Sequence, residues 1–111
     1  MAKIKRTFSP YAQQAALLLG QLVRTARIKR RMTANDLSLR AGISRGLLRR
    51  IEAGDPTSTI GAVFEVAAIV GVKLFDAEQG GITSAIESNR EVMTLLPRAV
   101  RRGQREIKDD F

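Results

Sequence analysis

The 111-residue chain contains no cysteine, no histidine and no tryptophan. Without a thiol or an imidazole there is no disulfide framework, no zinc-finger site, no Cys-His nucleophile and no Ser-His-Asp triad. Aromatic residues are also few, four Phe and one Tyr, so general RNA binding lacks a stacking platform. Apolar runs are broken by Gly, Gln or Arg well before the roughly 18 to 20 residues that a bilayer span requires. The basic start, Met1 to Arg6, leads into a stretch interrupted by Gly20, Gln21 and Arg24, so no secretory leader is expected. The carboxylates suggest no chemistry either. Asp109-Asp110 fall on an expected tail, and Asp76 and Glu78 flank a glycine-rich turn without other polar partners. The expectation is a soluble, cytoplasmic protein that is not an enzyme and needs no cofactor or metal.

What the chain has in excess is positive charge: 19 Lys and Arg against 11 Asp and Glu, a net +8. Residues 1–50 hold twelve basic side chains and one acidic, residues 51–97 two basic and seven acidic, and residues 98–111 five basic and three acidic. Cations clustered in one half suit a polyanion, because neutralised phosphates release counterions. On charge alone a solvated basic face is the alternative, since +8 only slightly exceeds what solubility requires.

Ser9-Pro10 is a helix start, with a hydroxyl to cap free N–H groups and a proline where its missing donor costs nothing. A first helix is predicted from there to near Arg31. Leu19, Leu22, Val23 and Ala26 form its inward stripe at spacings of three and four. Arg24, Lys29, Arg30 and Arg31 leave its other faces cationic, and the last-turn cations complement the helix dipole. Thr33-Ala-Asn-Asp36 reads as a capping box with Asp36 in place of Glu or Gln. It opens a second helix that Gly42 stops after Ala41, and Ser44 caps a third from Arg45 to Ala53. Two short helices joined by a glycine-containing turn are the helix-turn-helix unit, whose second helix enters a DNA major groove.

Projected at 100° per residue, the third helix puts Leu47, Leu48 and Ile51 on one side and Arg45, Gly46, Arg49 and Arg50 on the other. Gly46 costs about 1 kcal/mol relative to Ala in a helix. Either it is accidental, or it lets a ligand approach the backbone.

After Gly54, Asp55-Pro56-Thr57-Ser58 reads as a turn, and Ser58 or Thr59 caps a fourth helix. Its inward stripe is expected to be Ile60, Val63, Phe64 and Ala67, with Phe64 a core aromatic, Glu65 outward and Gly71 the stop. Val72 to Asp76 lacks helical spacing and lies between Gly71 and Gly80-Gly81, which predicts a short strand over residues 72–78. A lone strand needs a partner, and the chain offers no second clear one. Pairing with the same segment of a second subunit makes Val72, Leu74 and Phe75 the expected dimer contacts. Ile82 to Leu96 has modest helical character, and Pro97 with Arg98, Arg101, Arg102 and Arg105 predicts a mobile cationic tail. The organisation is then a basic arm over 1–8, a helix-turn-helix domain over 9–71, the strand, and a C-terminal helix and tail over 82–111.

Leu19 to Val72 resembles the helix-turn-helix domain of lambda-repressor-like (XRE-type) regulators, most specifically over Thr33 to Gly54, TANDLSLRAGISRGLLRRIEAG. Thr33, Leu37, Ala41-Gly42, Ile51, Glu52 and Gly54 reproduce that family's pattern at its spacing. The resemblance implies an all-α, five-helix lambda-repressor-like domain and a homodimer on double-stranded DNA with a near-palindromic operator. It places Ser44, Arg45, Gly46, Leu47 and Arg49 on the recognition face, with Thr33 near the phosphate backbone and Arg50 a phosphate contact. Arg donates bidentately to guanine, whereas Leu47 offers only apolar contact, as to a thymine methyl. It pairs Arg27 with Glu52 as a structural ion pair. The family usually has Gln after the capping Thr, and this chain has Ala34, so that contact is absent or replaced.

Glu52 to Asp76 is also similar to HipB-type antitoxins, in which the strand after the fourth helix pairs across the dimer. That similarity implies autoregulation and a HipA-type serine/threonine kinase toxin as partner, with no membrane involved. A plain regulator without a toxin, or a module chiefly restraining a kinase, are the alternatives. Lys108 to Phe111 reads either as a docking peptide or as a solubilising tail.

Overall fold

In the computed structural model residues 7–75 and 79–100 are described. Residues 1–6 of the basic arm, 76–78 of the expected strand and the tail from 101 onward, including Lys108 to Phe111, lie outside them. The chain divides into two units, one ending at Leu74 and the other beginning at Phe75.

Ser9 opens the first helix, α1 (Pro10–Lys29): its hydroxyl accepts the Ala12 N–H at 3.1 Å, and Pro10 occupies the first turn. The helix stops at Lys29, short of Arg31. Arg31 N–H donates to Ile28 O at 2.9 Å and Met32 N–H to Arg27 O at 3.1 Å, the paired bonds of a Schellman cap. Arg31 takes the left-handed position of that cap at φ 59°, the one non-glycine residue with positive φ among the described residues.

Helix α2 (Ala34–Ala41) starts from Thr33 with the full reciprocal box. Thr33 Oγ1 accepts Asp36 N–H at 3.0 Å and Thr33 N–H donates to Asp36 Oδ2 at 3.1 Å. Gly42, at φ 70°, ends it, and Ile43 N–H returns to Ser38 O at 3.0 Å. Helix α3 (Arg45–Glu52) follows from Ser44, whose hydroxyl accepts Leu47 N–H at 3.0 Å. The turn at Asp55 closes on Thr57, whose N–H and hydroxyl both donate to Asp55 Oδ1 at 2.9 and 2.7 Å. Helix α4 (Ile60–Val70) then starts at Thr59 without a side-chain cap bond. Neither expected hydroxyl caps it, for Ser58 Oγ is buried with no hydrogen-bond partner.

Val23, Leu37, Leu48, Ile51, Val66, Ala67 and Val70 form the buried core, drawn from all four helices. α1 packs on α3 and α4, and α2 packs on the same two. Two expected stripes are corrected. On α1, Val23 is buried and Leu19 and Ala26 flank the core, but Leu22 is exposed. On α4 the buried positions are Val66, Ala67 and Val70, whereas Ile60 is exposed and Phe64 is 37% exposed. Glu65 is the only charged residue in that helix, so the periodicity had no polar face to define the apolar one.

The segment after α4 is corrected as well. Val72 to Phe75 carries no strand. Val72 N–H donates to Ala67 O at 2.8 Å as part of the helix stop, and Val72 and Leu74 pack, half-buried, against the core of their own unit. Phe75 is exposed. The apolar residues assigned to a partner strand are thus partly taken up by the chain's own core.

The second unit contains α5 (Gln79–Thr94), and no residue of that helix is buried. No helix among the described residues is long and apolar enough to cross a membrane.

Candidate nucleic-acid interface

α3 is held from beneath. Leu48 and Ile51 are buried in the core, and Gly20 lets α1 come into backbone contact with the end of α3. A Cβ on Gly20 would meet the carbonyl oxygen of Ile51 and lie 2.9 Å from that of Glu52. Such an approach excludes any larger residue unless the helices separate.

The outer side of α3 is cationic. Arg45, Arg49 and Arg50 are exposed, and Ser44 at the cap is exposed too. Gly46 is half-buried and in no conflict with its surroundings: a Cβ there would lie 3.6 Å from Arg50 Nη1 and 3.9 Å from Ser44 Oγ. No contact among the described residues requires glycine at this position. Leu47 lies on the border between the two sides, half-buried against the core. Arg45 and Arg49 thus line one groove, with Arg50 and Ser44 exposed beside Gly46, while Leu47 divides its side chain between solvent and the interior.

Beside α3 runs an open groove of about 640 Å³, walled by Arg24, Arg27, Arg45 and Arg49, with Ala34 and Gly46 supplying little bulk and Glu52 the only carboxylate. Arg27 donates from Nε to Glu52 Oε2 at 2.8 Å and from Nη2 to Oε1 at 3.1 Å, while its Nη1 donates to Met32 O at 3.0 Å. The Glu52 hydrogen bonds raise the Arg27 pKa above its ordinary value, against the opposing effect of burial. Arg24 Nε lies 4.0 Å from Glu52 Oε1 with its side chain 62% exposed. One carboxylate thus faces four guanidinium groups, which leaves the groove strongly cationic.

Thr33 sits at the start of α2 with its oxygen engaged in the capping box and its side chain exposed. The Asp36 carboxyl there is held below the usual range by the Thr33 N–H and then by the Thr33 hydroxyl. Ala34, half-buried, lines the groove. Arg24 was not among the residues expected at this surface. Its signal was the three-residue spacing from Arg27, which puts both on one face of α1.

Residues 23–76 match a family model described as helix-turn-helix. No curated protein and no solved structure matches the chain. The matched segment takes in the last third of α1 and all of α2, α3 and α4. These residues form a helix-turn-helix DNA-binding domain, a non-catalytic module.

Proposed function

We infer that this DNA-binding regulator is a repressor that works as a homodimer on a near-palindromic operator, with one α3 in each of two major grooves about 34–36 Å apart. The observation that supports the reading is a set of exposed arginines, Arg45 and Arg49 on one groove with Arg50 beside them, on a helix anchored by buried Leu48 and Ile51. A rigid cationic helix of this kind positions donors against base edges without first having to order itself. Arg45 and Arg49 are assigned to bases, where a bidentate guanidinium selects guanine. Arg50 and Thr33 are assigned to phosphates, Ser44 to the groove rim and Leu47 to apolar contact with a thymine methyl.

Selection of bound sequences from a random DNA pool tests the reading. A two-fold repeated motif is the expected result, and recovery without any motif would refute it. On the selected site, Arg45→Ala and Arg49→Ala relax base preference, whereas Arg50→Ala weakens all sequences alike. With about six phosphates neutralised, log K falls against log salt with a slope of roughly −5.

The fuller form of the reading is an autoregulating antitoxin that holds a HipA-type serine/threonine kinase. It draws only on the resemblance over Glu52 to Asp76. An adjacent kinase-like gene whose product co-purifies with this chain supports it, and an isolated gene leaves the plain regulator.

A further inference from the structure

Away from the cationic groove, a second pocket of about 360 Å³ opens between α1 and α4, a volume within the range of small-molecule sites. Ala16 and Gly20, four residues apart on one face of α1, line it from one helix, and Ile60 and Phe64, four apart on α4, line it from the other. The space exists because α1 contributes small residues where α4 contributes large ones. Ile60 is 69% exposed and Phe64 37%. A molecule seated between the helices gains by taking this apolar surface out of water.

The polar groups of the pocket narrow the kind of molecule. Ser58 is one of its walls, and Ser58 Oγ is buried with no hydrogen-bond partner. A buried hydroxyl in that state costs stability unless something supplies the bond, and rotation of the serine side chain among its staggered positions can present it to a ligand oxygen. Asp55 is the only charged wall residue. Its Oδ1 already accepts the Thr57 N–H and hydroxyl at 2.9 and 2.7 Å, and a carboxylate disfavours an anion beside it. No lysine or arginine lines the pocket, although the chain carries 19. The group lacking a partner is thus a neutral hydroxyl in apolar surroundings.

We propose that this pocket binds a small, neutral, apolar molecule carrying one hydroxyl or carbonyl oxygen, which Ser58 hydrogen-bonds while Ile60, Val63 and Phe64 cover its apolar body. Ala16 and Gly20 precede residue 23, where the helix-turn-helix match begins, so the α1 side of the site is not part of the matched segment. The pocket shares no wall residue with the cationic groove. Ligand and DNA can therefore be bound together, and the site stands or falls apart from the operator reading.

The test uses the full chain and 2-naphthol, a neutral bicyclic molecule with one hydroxyl. The chain has no tryptophan, so the naphthol emission is read against little protein background. Fluorescence titration at pH 7 is expected to give a dissociation constant below about 1 mM, and 2-naphthoate, its anionic counterpart, to bind at least about tenfold more weakly. Ser58→Ala weakens 2-naphthol about fivefold or more yet melts no lower than wild type, because the hydroxyl it removes has no partner to lose. Ala16→Leu places a good helix former at a half-buried position and fills the α1 side of the pocket. It is expected to stay folded and to weaken 2-naphthol about tenfold or more. The proposal is overturned if wild type does not bind 2-naphthol, if 2-naphthoate binds as tightly, or if either variant binds 2-naphthol as wild type does.

Discussion

Arg27 closes a three-way junction with Glu52: two of its nitrogens grip the carboxylate on α3 at 2.8 and 3.1 Å, and a third reaches the Met32 carbonyl between α1 and α2 at 3.0 Å. One side chain thereby fixes the position of α3 relative to both elements that precede it. The two side chains retain only 11% and 9% of their exposure. The attraction between them is largely offset by desolvation, so the pair is better understood as setting orientation than as adding net stability.

Removing one partner is a different matter, because it leaves the other charge buried. Glu52→Ala is expected to cost about 3–5 kcal/mol, and Arg27→Ala a similar amount, with Glu52→Gln falling between these and wild type. Urea unfolding measures all three. A Glu52→Ala midpoint equal to wild type would mean that the junction holds without the ion pair.

Acid sensitivity follows from two aspartates at turns. Hydrogen bonds from Thr33 hold the Asp36 carboxyl below the usual 3.8, and those from Thr57 do the same for Asp55. A carboxyl whose folded value is lowered contributes stability above the unfolded value and loses it as pH falls through the folded one. Stability should therefore decline with acidification from about pH 3.8 downward, and less steeply in Asp36→Asn and in Asp55→Asn. Thermal melting from pH 6 down to pH 2 checks this, and identical slopes in the three proteins would contradict it.

The caps of this domain were legible in the sequence because capping is local: Ser9, Thr33 and Ser44 each bond an N–H three residues away. The helix-turn-helix unit was legible for the same reason, with Gly42 marking the turn. What was not legible depended on packing across the domain. Nearly uniform apolarity in α4 hid that Val66 and Val70, not Ile60 and Phe64, face inward. The run Leu17-Leu18-Leu19 likewise blurs the stripe of α1. Val72 and Leu74 read as a strand because their neighbours in space, the core residues of their own unit, are distant in sequence. Arg24 joined the groove only once α1 was laid against α3.

Two glycines should respond oppositely to alanine. At Gly20 the added methyl would strike the backbone of α3, so Gly20→Ala forces the helices apart, at a cost of about 3 kcal/mol or more. At Gly46 the methyl meets ordinary contact distances, and Gly46→Ala should gain up to about 1 kcal/mol from helix propensity. If the backbone of α3 comes close to DNA at this position, the same variant binds its operator more weakly although it is the more stable protein. Chemical denaturation paired with gel shifts separates the two effects, and unchanged affinity in Gly46→Ala would leave that glycine without a role at the interface.

Arg31 carries strain at the junction leading into α2. Its φ of 59° completes a Schellman cap where glycine is usual. The left-handed conformation costs an ordinary residue roughly 1–2 kcal/mol, partly offset in any exchange by the greater freedom that glycine has in the unfolded chain. Arg31→Gly should therefore stabilise the domain by about 0.5–1 kcal/mol. The residue is exposed two positions before Thr33, where a helix-turn-helix domain lays its first helix across the phosphate backbone. If the guanidinium is retained there for a phosphate, Arg31→Gly loses affinity for all sequences and lowers the salt slope by about 1, while Arg31→Lys keeps both the strain and the binding. A glycine variant that is more stable and binds as tightly as wild type would show that the strain has no part in DNA binding.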